Sequence, residues 1–72
     1  MDIKRRFGLA VRARRAALGI SQEELALRID ADQAYVSRVE AGAMNVTLDT
    51  AQQIAEALGT DVALLFSGAP TA

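Results

Sequence analysis

The chain contains no cysteine and no histidine among its 72 residues. Disulfides, thiolate or imidazole metal sites and nucleophilic triads that need Cys or His are therefore excluded. The carboxylates are spread along the chain as helix caps and surface charges and do not form one cluster, which argues against an enzyme. From these absences we expect no catalytic residues, no cofactor and no metal.

Aromatic residues and proline are scarce: the chain has one Tyr, two Phe and one Pro, although 51% of its residues are hydrophobic. A core of Ala, Leu, Val and Ile favours a compact helical bundle over a sheet. A chain of this size buries only about 60% of its unfolded surface, so dimerisation would stabilise it. The longest uncharged stretch, 62–72, is too short to span a bilayer, and no signal-peptide core is visible. We therefore expect a cytoplasmic protein without a membrane partner.

Charge is distributed unevenly, although the net charge is only -1. Residues 1–15 carry six basic side chains against one acidic side chain, a net charge of +5, whereas the remainder carries two basic against eight acidic side chains, a net charge of -6. The positive charge therefore lies on the first predicted helix. On charge alone, this is equally a solvated helix face or a surface that attracts a polyanion.

The first half of the chain has the periodicity and the caps of two helices. Apolar residues at helical spacing predict a helix over 2–18 that ends at Gly19; its apolar positions are Ile3, Phe7, Val11 and Leu18. Ser21 and Glu24 form the pattern of a capping box, in which the hydroxyl accepts from a first-turn amide and the carboxylate from the cap's own N–H. This predicts a second helix over 22–29.

Three further helices are predicted in the second half. Asp32 caps a third helix that ends at Gly42, Thr47 caps a fourth that ends at Gly59, and Asp61 starts a short fifth helix through 62–66. The fourth has an apolar face made of Leu48, Ala51, Ile54, Ala55 and Leu58. The sequence therefore predicts an all-α, compact five-helix bundle, with one domain at 1–68 and a flexible tail at 69–72.

The third predicted helix has two different faces. Val36 and Val39 lie three residues apart on a face suited to the core, which leaves Gln33, Ser37 and Arg38 on other faces. Because a short polar break separates this helix from the second one, the pair has the helix-turn-helix pattern.

Three spaced segments carry a family resemblance: LGISQEELA at 18–26, YVSRVEAG at 35–42 and IAEALG at 54–59. They resemble the Cro/C1-type (XRE) helix-turn-helix family over about residues 5–68. The resemblance implies a lambda-repressor-like DNA-binding domain and a transcriptional regulator that binds a pseudo-palindromic operator in double-stranded DNA as a homodimer. The loop NVTL at 45–48 is similar to that of restriction–modification controller proteins; a prophage-type or chromosomal regulator is the alternative.

The resemblance also assigns base contacts to the third helix, at Gln33, Ala34, Tyr35, Ser37 and Arg38. Gln can hold adenine through two hydrogen bonds, and Arg can hold guanine in the same way. For Tyr35 three roles stay open: contact with a thymine methyl group, contact with a phosphate through the hydroxyl, or packing against the turn.

Phosphate contacts are expected at Gln22, Arg5, Arg12, Arg14 and Asn45. In some relatives the positions of Arg15 and Glu40 form a buried ion pair, which here would be architectural.

Leu64 and Phe66 are apolar beyond what the fifth helix needs for the core, so we expect them in a twofold dimer interface. Phe66 can instead close the bottom of the core.

Several residues depart from the family pattern. Asp30 occupies the place of the usual glycine in the turn, and Ala43 and Met44 stand where many relatives carry basic residues. Leu27 is an apolar residue on the expected outer face of the second helix, which favours a second interpretation: an antitoxin or another protein-interaction module with secondary DNA binding. Without a second domain, we expect no small-molecule ligand.

Overall fold

A computed structural model describes residues 2–67, which form five helices and contain no strand. The helices are α1 (Ile3–Leu18), α2 (Gln22–Arg28), α3 (Gln33–Glu40), α4 (Leu48–Ala57) and α5 (Val62–Ser67). The predicted all-α class is confirmed, and the predicted helix bounds are close to those observed. The predicted tail at 69–72 lies outside the described residues. None of the helices within 2–67 is long and apolar enough to cross a membrane.

Short polar side chains begin the helices, as the sequence predicted. Ser21 Oγ accepts from the Glu24 N–H at 3.0 Å, Asp32 Oδ1 from the Tyr35 N–H at 2.8 Å and Thr47 Oγ1 from the Thr50 N–H at 3.1 Å. These bonds satisfy amides that have no partner within their own helix.

Only the hydroxyl half of the predicted capping box is present. The Glu24 carboxylate does not turn back to Ser21; its Oε2 accepts from Arg28 Nε one helical turn later, at 3.1 Å. An i, i+4 ion pair competes for the same side chain, and in this short helix it takes the carboxylate.

Helices α1 to α4 are each followed, within two residues, by a residue with positive φ: Gly19, Asp30, Gly42 and Gly59. After each one, the next N–H donates to a carbonyl five residues earlier, at 2.8 to 3.2 Å. This is the Schellman pattern, for which glycine is the usual residue. Asp30 adopts it at φ 57°, so the chain takes the left-handed conformation without glycine at this turn.

All five helices contribute to one buried core. It consists of Phe7, Val11, Leu25, Ala26, Val36, Val39, Ala51, Ile54, Ala55, Leu58 and Leu65. The predicted inward position of Leu48 is wrong, since this residue is 77% exposed. Leu48 is the first residue of α4, and the core begins one turn later at Ala51. The two ends of the apolar stripe of α1, Ile3 and Leu18, are likewise exposed.

Candidate nucleic-acid interface

The angle between α2 and α3 is set by small and branched apolar residues. Leu25 and Ala26 of α2 and Val36 of α3 are buried. The Ala31 N–H donates to the Ala26 carbonyl at 2.8 Å, which closes the turn between the two helices. The two helices are therefore fixed to each other, and the outer face of α3 is held at a defined orientation.

That outer face of α3 is polar and accessible. Gln33, Ala34 and Arg38 are exposed and Ser37 is half-buried, while Val36 and Val39 are buried on the opposite side. The structure therefore places four of the five predicted base-contact residues on one accessible stripe. Tyr35 is half-buried and packs against the core, so its ring is partly committed to the fold.

Helix α1 lies directly against the C-terminal half of α3. Gly8 leaves no room for a side chain, because a Cβ there would lie 2.4 Å from the Val39 carbonyl oxygen. Gly42, just beyond α3, has the backbone of Arg5 as its neighbour. The exposed residue Arg5 therefore lies beside the turn that follows α3.

A polar cleft of about 290 Å³ opens at the surface between α1, α2 and α3. It is lined by Arg12, Arg15, Gln22, Ser37, Glu40 and Ala41. Two predicted phosphate contacts, Arg12 and Gln22, therefore lie on the walls of the same cleft as the predicted base contact Ser37. Asn45 is exposed in the loop between α3 and α4, where it lines a separate hollow of about 140 Å³ with Met44 and Phe66.

Arg14 has a different partner from the one that the sequence suggested. Its Nε donates to the Leu58 carbonyl at 2.9 Å and its Nη2 to the Gly59 carbonyl at 3.3 Å. Helix α4 has no basic residue in its own last turn, so a cation from α1 satisfies the carbonyls at its negative end. The structure thus gives Arg14 a helix-capping role, and a phosphate contact by this side chain would have to break these bonds.

Two more arginines act in the same way. Arg28 Nη1 donates to the Ala57 carbonyl at 3.0 Å, and Arg6 Nη2 donates to the Ser67 carbonyl at 3.0 Å. Two of the six basic residues in 1–15, Arg6 and Arg14, therefore support the ends of α5 and α4. The exposed basic side chains that remain are Lys4, Arg5, Arg12 and Arg38.

Arg15 and Glu40 form the ion pair that the resemblance implied. Arg15 Nε lies 2.7 Å from Glu40 Oε2 and its Nη2 lies 3.0 Å from Oε1, so the pair is bidentate. The side chains are 16% and 4% exposed. The hydrogen bond to Glu40 raises the pKa of the Arg15 guanidinium further, against the opposing effect of burial. The pair joins α1 to the end of α3.

Sequence reasoning missed a continuation of this ion pair towards the start of α3. Gln22 Nε2 donates to Glu40 Oε1 at 3.0 Å, and Gln33 Nε2 donates to Gln22 Oε1 at 2.6 Å. Four residues that were assigned three separate roles thus form one hydrogen-bonded network. No spacing rule along the chain reveals it, because Gln22, Gln33 and Glu40 meet only through the packing of α2 on α3.

The two residues predicted for the dimer interface differ in their surroundings. Leu64 is 41% exposed, whereas Phe66 is half-buried and its ring stacks on Phe7 with centroids 4.9 Å apart. Phe66 therefore closes the core between α1 and α5, which is the alternative that the sequence left open, and Leu64 is the freely accessible residue of the two.

The fold and this surface define a class of protein. Residues 11–65 match the helix-turn-helix family, and the chain belongs to that family. It is a DNA-binding transcription regulator. Within residues 2–67 no group of His, Cys, Asp and Glu side chains could hold a metal ion.

Three similar proteins indicate which kinds of regulator this chain resembles. The control protein C.MunI from Mycoplasma sp. is 40% identical over 67 residues, which is 92% of this chain and 90% of that protein. The crystal structure of the restriction-modification controller protein C.AhdI from Aeromonas hydrophila matches with a TM-score of 0.80 and 39% identity, over 85% of this chain and 88% of that one. The clp gene regulator ClgR from Corynebacterium glutamicum matches with a TM-score of 0.91 and 28% identity, over 94% of this chain and 72% of that one.

Proposed function

We propose that this chain is the controller of a restriction-modification system, which binds a pseudo-palindromic operator as a homodimer and regulates its own transcription. The observation that carries the proposal is the accessible polar face of α3, with Gln33 and Arg38 exposed. Arg12 of α1 lines the same cleft as Ser37 of this helix. A stripe of hydrogen-bonding groups with arginines beside it suits a major groove lined by phosphates.

In this arrangement, base reading and phosphate binding belong to different residues. Base edges are read by Gln33, Ala34, Ser37 and Arg38, and phosphates are bound by Arg5, Arg12, Gln22 and Asn45. Arg12 and Gln22 line the same cleft as Ser37, whereas Asn45 lies in the loop beyond α3. Arg38 has five donors and can hold guanine in a bidentate manner, while the amide of Gln33 suits adenine. Tyr35 supports the start of α3 by packing and leaves its hydroxyl for a phosphate.

The controller assignment draws its support from C.MunI and C.AhdI, each of which matches most of this chain at about 40% identity. ClgR, by contrast, is a gene regulator of another kind with lower identity. The homodimer is supported by Leu64, an exposed leucine on a helix whose neighbour Leu65 already fills the core. A twofold axis near α5 would place two copies of α3 for the two halves of a pseudo-palindrome.

Binding of the purified protein to its own upstream DNA tests this function. Fluorescence anisotropy is measured with the upstream duplex and with a scrambled duplex of the same composition, at several salt concentrations. We expect a preference for the upstream duplex, binding that weakens as salt rises, and a loss of about 1 to 3 kcal/mol of that preference in Arg38→Ala. Equal, weak binding to both duplexes would exclude autoregulation.

A second candidate function rests on Leu27, which is 76% exposed on α2. An apolar residue of this size on an outer face suits a protein partner, as in an antitoxin that also binds DNA. Co-purification with the product of a neighbouring gene, abolished by Leu27→Asp, would favour this function. Unchanged co-purification in Leu27→Asp would argue against this face.

We infer no catalytic activity and a cytoplasmic location. The described carboxylates of Asp2, Asp32 and Asp61 accept from helix N-termini, and that of Glu40 is paired with Arg15. These are structural roles that leave them unsuited to proton transfer at a shared site. A regulator of this kind meets its operator in the cytoplasm.

A further inference from the structure

A chain of hydrogen bonds runs from the buried ion pair to the first residue of α3. Arg15 donates to both carboxylate oxygens of Glu40, Gln22 Nε2 donates to Glu40 Oε1, and Gln33 Nε2 donates to Gln22 Oε1. The Glu40 side chain is 4% exposed, whereas Gln33 is exposed. This series of hydrogen bonds therefore begins at a fixed, buried charge and ends at a group that faces outward.

The chemistry of the four side chains fixes which group donates and which accepts in each of these hydrogen bonds. An ionised carboxylate can only accept hydrogen bonds, so Gln22 must present its NH₂ group to Glu40 and its carbonyl oxygen to Gln33. Gln33 must then direct one N–H towards Gln22. Its second N–H and its Oε1 remain for another partner, and these are the donor and the acceptor that adenine N7 and N6 require.

We propose that Glu40 is a positioning residue for base recognition: acting through Gln22, it sets the orientation of the Gln33 amide before DNA binds. With the charge of Glu40 in place, the reversed amide of Gln22 would direct an oxygen at a carboxylate. Gln33 then enters the groove with one amide orientation in place of two, and less conformational freedom is lost on binding. The inference rests on the proposed function, because it concerns how the operator is read.

The test measures discrimination at a single adenine. The operator is first selected from a randomised duplex library with the wild-type protein. The adenines of the selected duplex are then replaced one at a time by 7-deazaadenine, which lacks the N7 acceptor. The ratio measured is the affinity for the unmodified duplex divided by the affinity for the modified one. The informative adenine is the one whose ratio falls to one in Gln33→Ala; in the wild type we expect a ratio of about fivefold or more.

Two variants break this series of hydrogen bonds at different points. Gln22→Met keeps the Arg15 and Glu40 pair and removes the intermediate amide. Glu40→Gln keeps the shape but offers an NH₂ group, so that Gln22 can reverse. We expect the ratio to fall towards one in both variants, by about twofold or more, because the freed Gln33 side chain contributes less to binding. Gln53→Met, an exposed glutamine of α4, is the matched control and should keep the wild-type ratio.

A ratio of two affinities from the same preparation is insensitive to the folded fraction, so lower stability of Glu40→Gln does not imitate the effect. Loss of a phosphate contact at Gln22 weakens both duplexes equally and also leaves the ratio unchanged. Unchanged ratios in both variants, or a fall in Gln22→Met alone, would overturn the role of Glu40. If Gln33→Ala changes the ratio at no adenine, Gln33 does not contact an adenine N7 and the inference is wrong. If the wild type selects no sequence at all, the proposed function itself fails.

Discussion

Gly8 of α1 lies so close to Val39 of α3 that a Cβ atom at residue 8 would sit 2.4 Å from the Val39 carbonyl oxygen. The obstacle is backbone, which cannot rotate away as a side chain can. Helix α1 also carries Arg12, which lines the same cleft as Ser37 of α3.

Gly8→Ala should therefore destabilise the protein, by about 1 to 3 kcal/mol, although alanine is the better helix former. Ala13→Gly, at an exposed position of the same helix, is the control and should lower the stability by about 1 kcal/mol through propensity alone. Urea denaturation followed by circular dichroism measures both. A stability gain in Gly8→Ala would contradict the close contact.

Arg15→Ala should have one of the largest effects of any single substitution. It leaves the buried carboxylate of Glu40 without its bidentate partner, and the expected loss is about 3 to 5 kcal/mol of unfolding free energy. Glu24→Ala breaks the exposed pair with Arg28 and should lower the stability by at most about 1 kcal/mol. Thermal melts compare the two. Similar melting temperatures would show that the Arg15 and Glu40 pair contributes no more than a surface pair.

Arg12 and Arg14 should respond in opposite ways, although they are two residues apart in α1. Arg12→Ala should weaken DNA binding and lower the slope of affinity against salt by about one, with no change in stability, because Arg12 is exposed beside α3. Arg14→Ala should leave the salt slope unchanged and lower the stability by about 1 to 3 kcal/mol, since its bonds to Leu58 and Gly59 are lost. Anisotropy titrations and urea melts separate the two roles. A reduced slope in Arg14→Ala would restore it as a phosphate contact.

The turn at Asp30 predicts a substitution that increases stability. With φ at 57°, this residue occupies a conformation that glycine adopts without steric strain. Asp30→Gly should match or exceed the wild-type stability by up to about 1 kcal/mol, whereas Asp30→Ala should lower it by about 1 kcal/mol. Differential scanning calorimetry of the three proteins orders them. The reverse order would mean that the aspartate side chain stabilises the turn.

Leu64 is the residue with which to test dimerisation, because Phe66 cannot be changed without disturbing its stacking on Phe7. Leu64→Asp should weaken the dimer by about 100-fold or more, since a twofold interface loses the same apolar side chain from both copies. Leu27→Asp, on a different helix, should leave it intact. Light scattering coupled to size-exclusion chromatography gives the masses. An unchanged dimer in Leu64→Asp would move the interface elsewhere.

Much of the fold is local in origin, which is why the sequence predicted it. Ser21, Asp32 and Thr47 cap helices through bonds to residues three positions away, and residues with positive φ follow these helices. Such interactions depend only on neighbours along the chain. They define five helices and, with the apolar spacing, most of the core.

What the sequence did not predict depends on distances between helices. Periodicity placed Leu48 inside, yet the core does not extend to the first turn of α4. Nothing local distinguishes Arg12 from Arg14; the one usable signal was that α4 has no basic residue in its last turn and needs a cation from elsewhere. The network from Glu40 to Gln33 likewise requires the packed positions of α2 and α3.

The stacked rings of Phe7 and Phe66 also determine how late in synthesis the packing of α5 on α1 can form. The two residues are 59 positions apart in the chain, and a ribosome adds roughly 5 to 20 residues per second. Roughly 3 to 12 seconds therefore separate the appearance of one ring from that of the other. Throughout that time α1 has no α5 to pack against. A polypeptide released before Phe66 therefore lacks the ring that closes the core between α1 and α5.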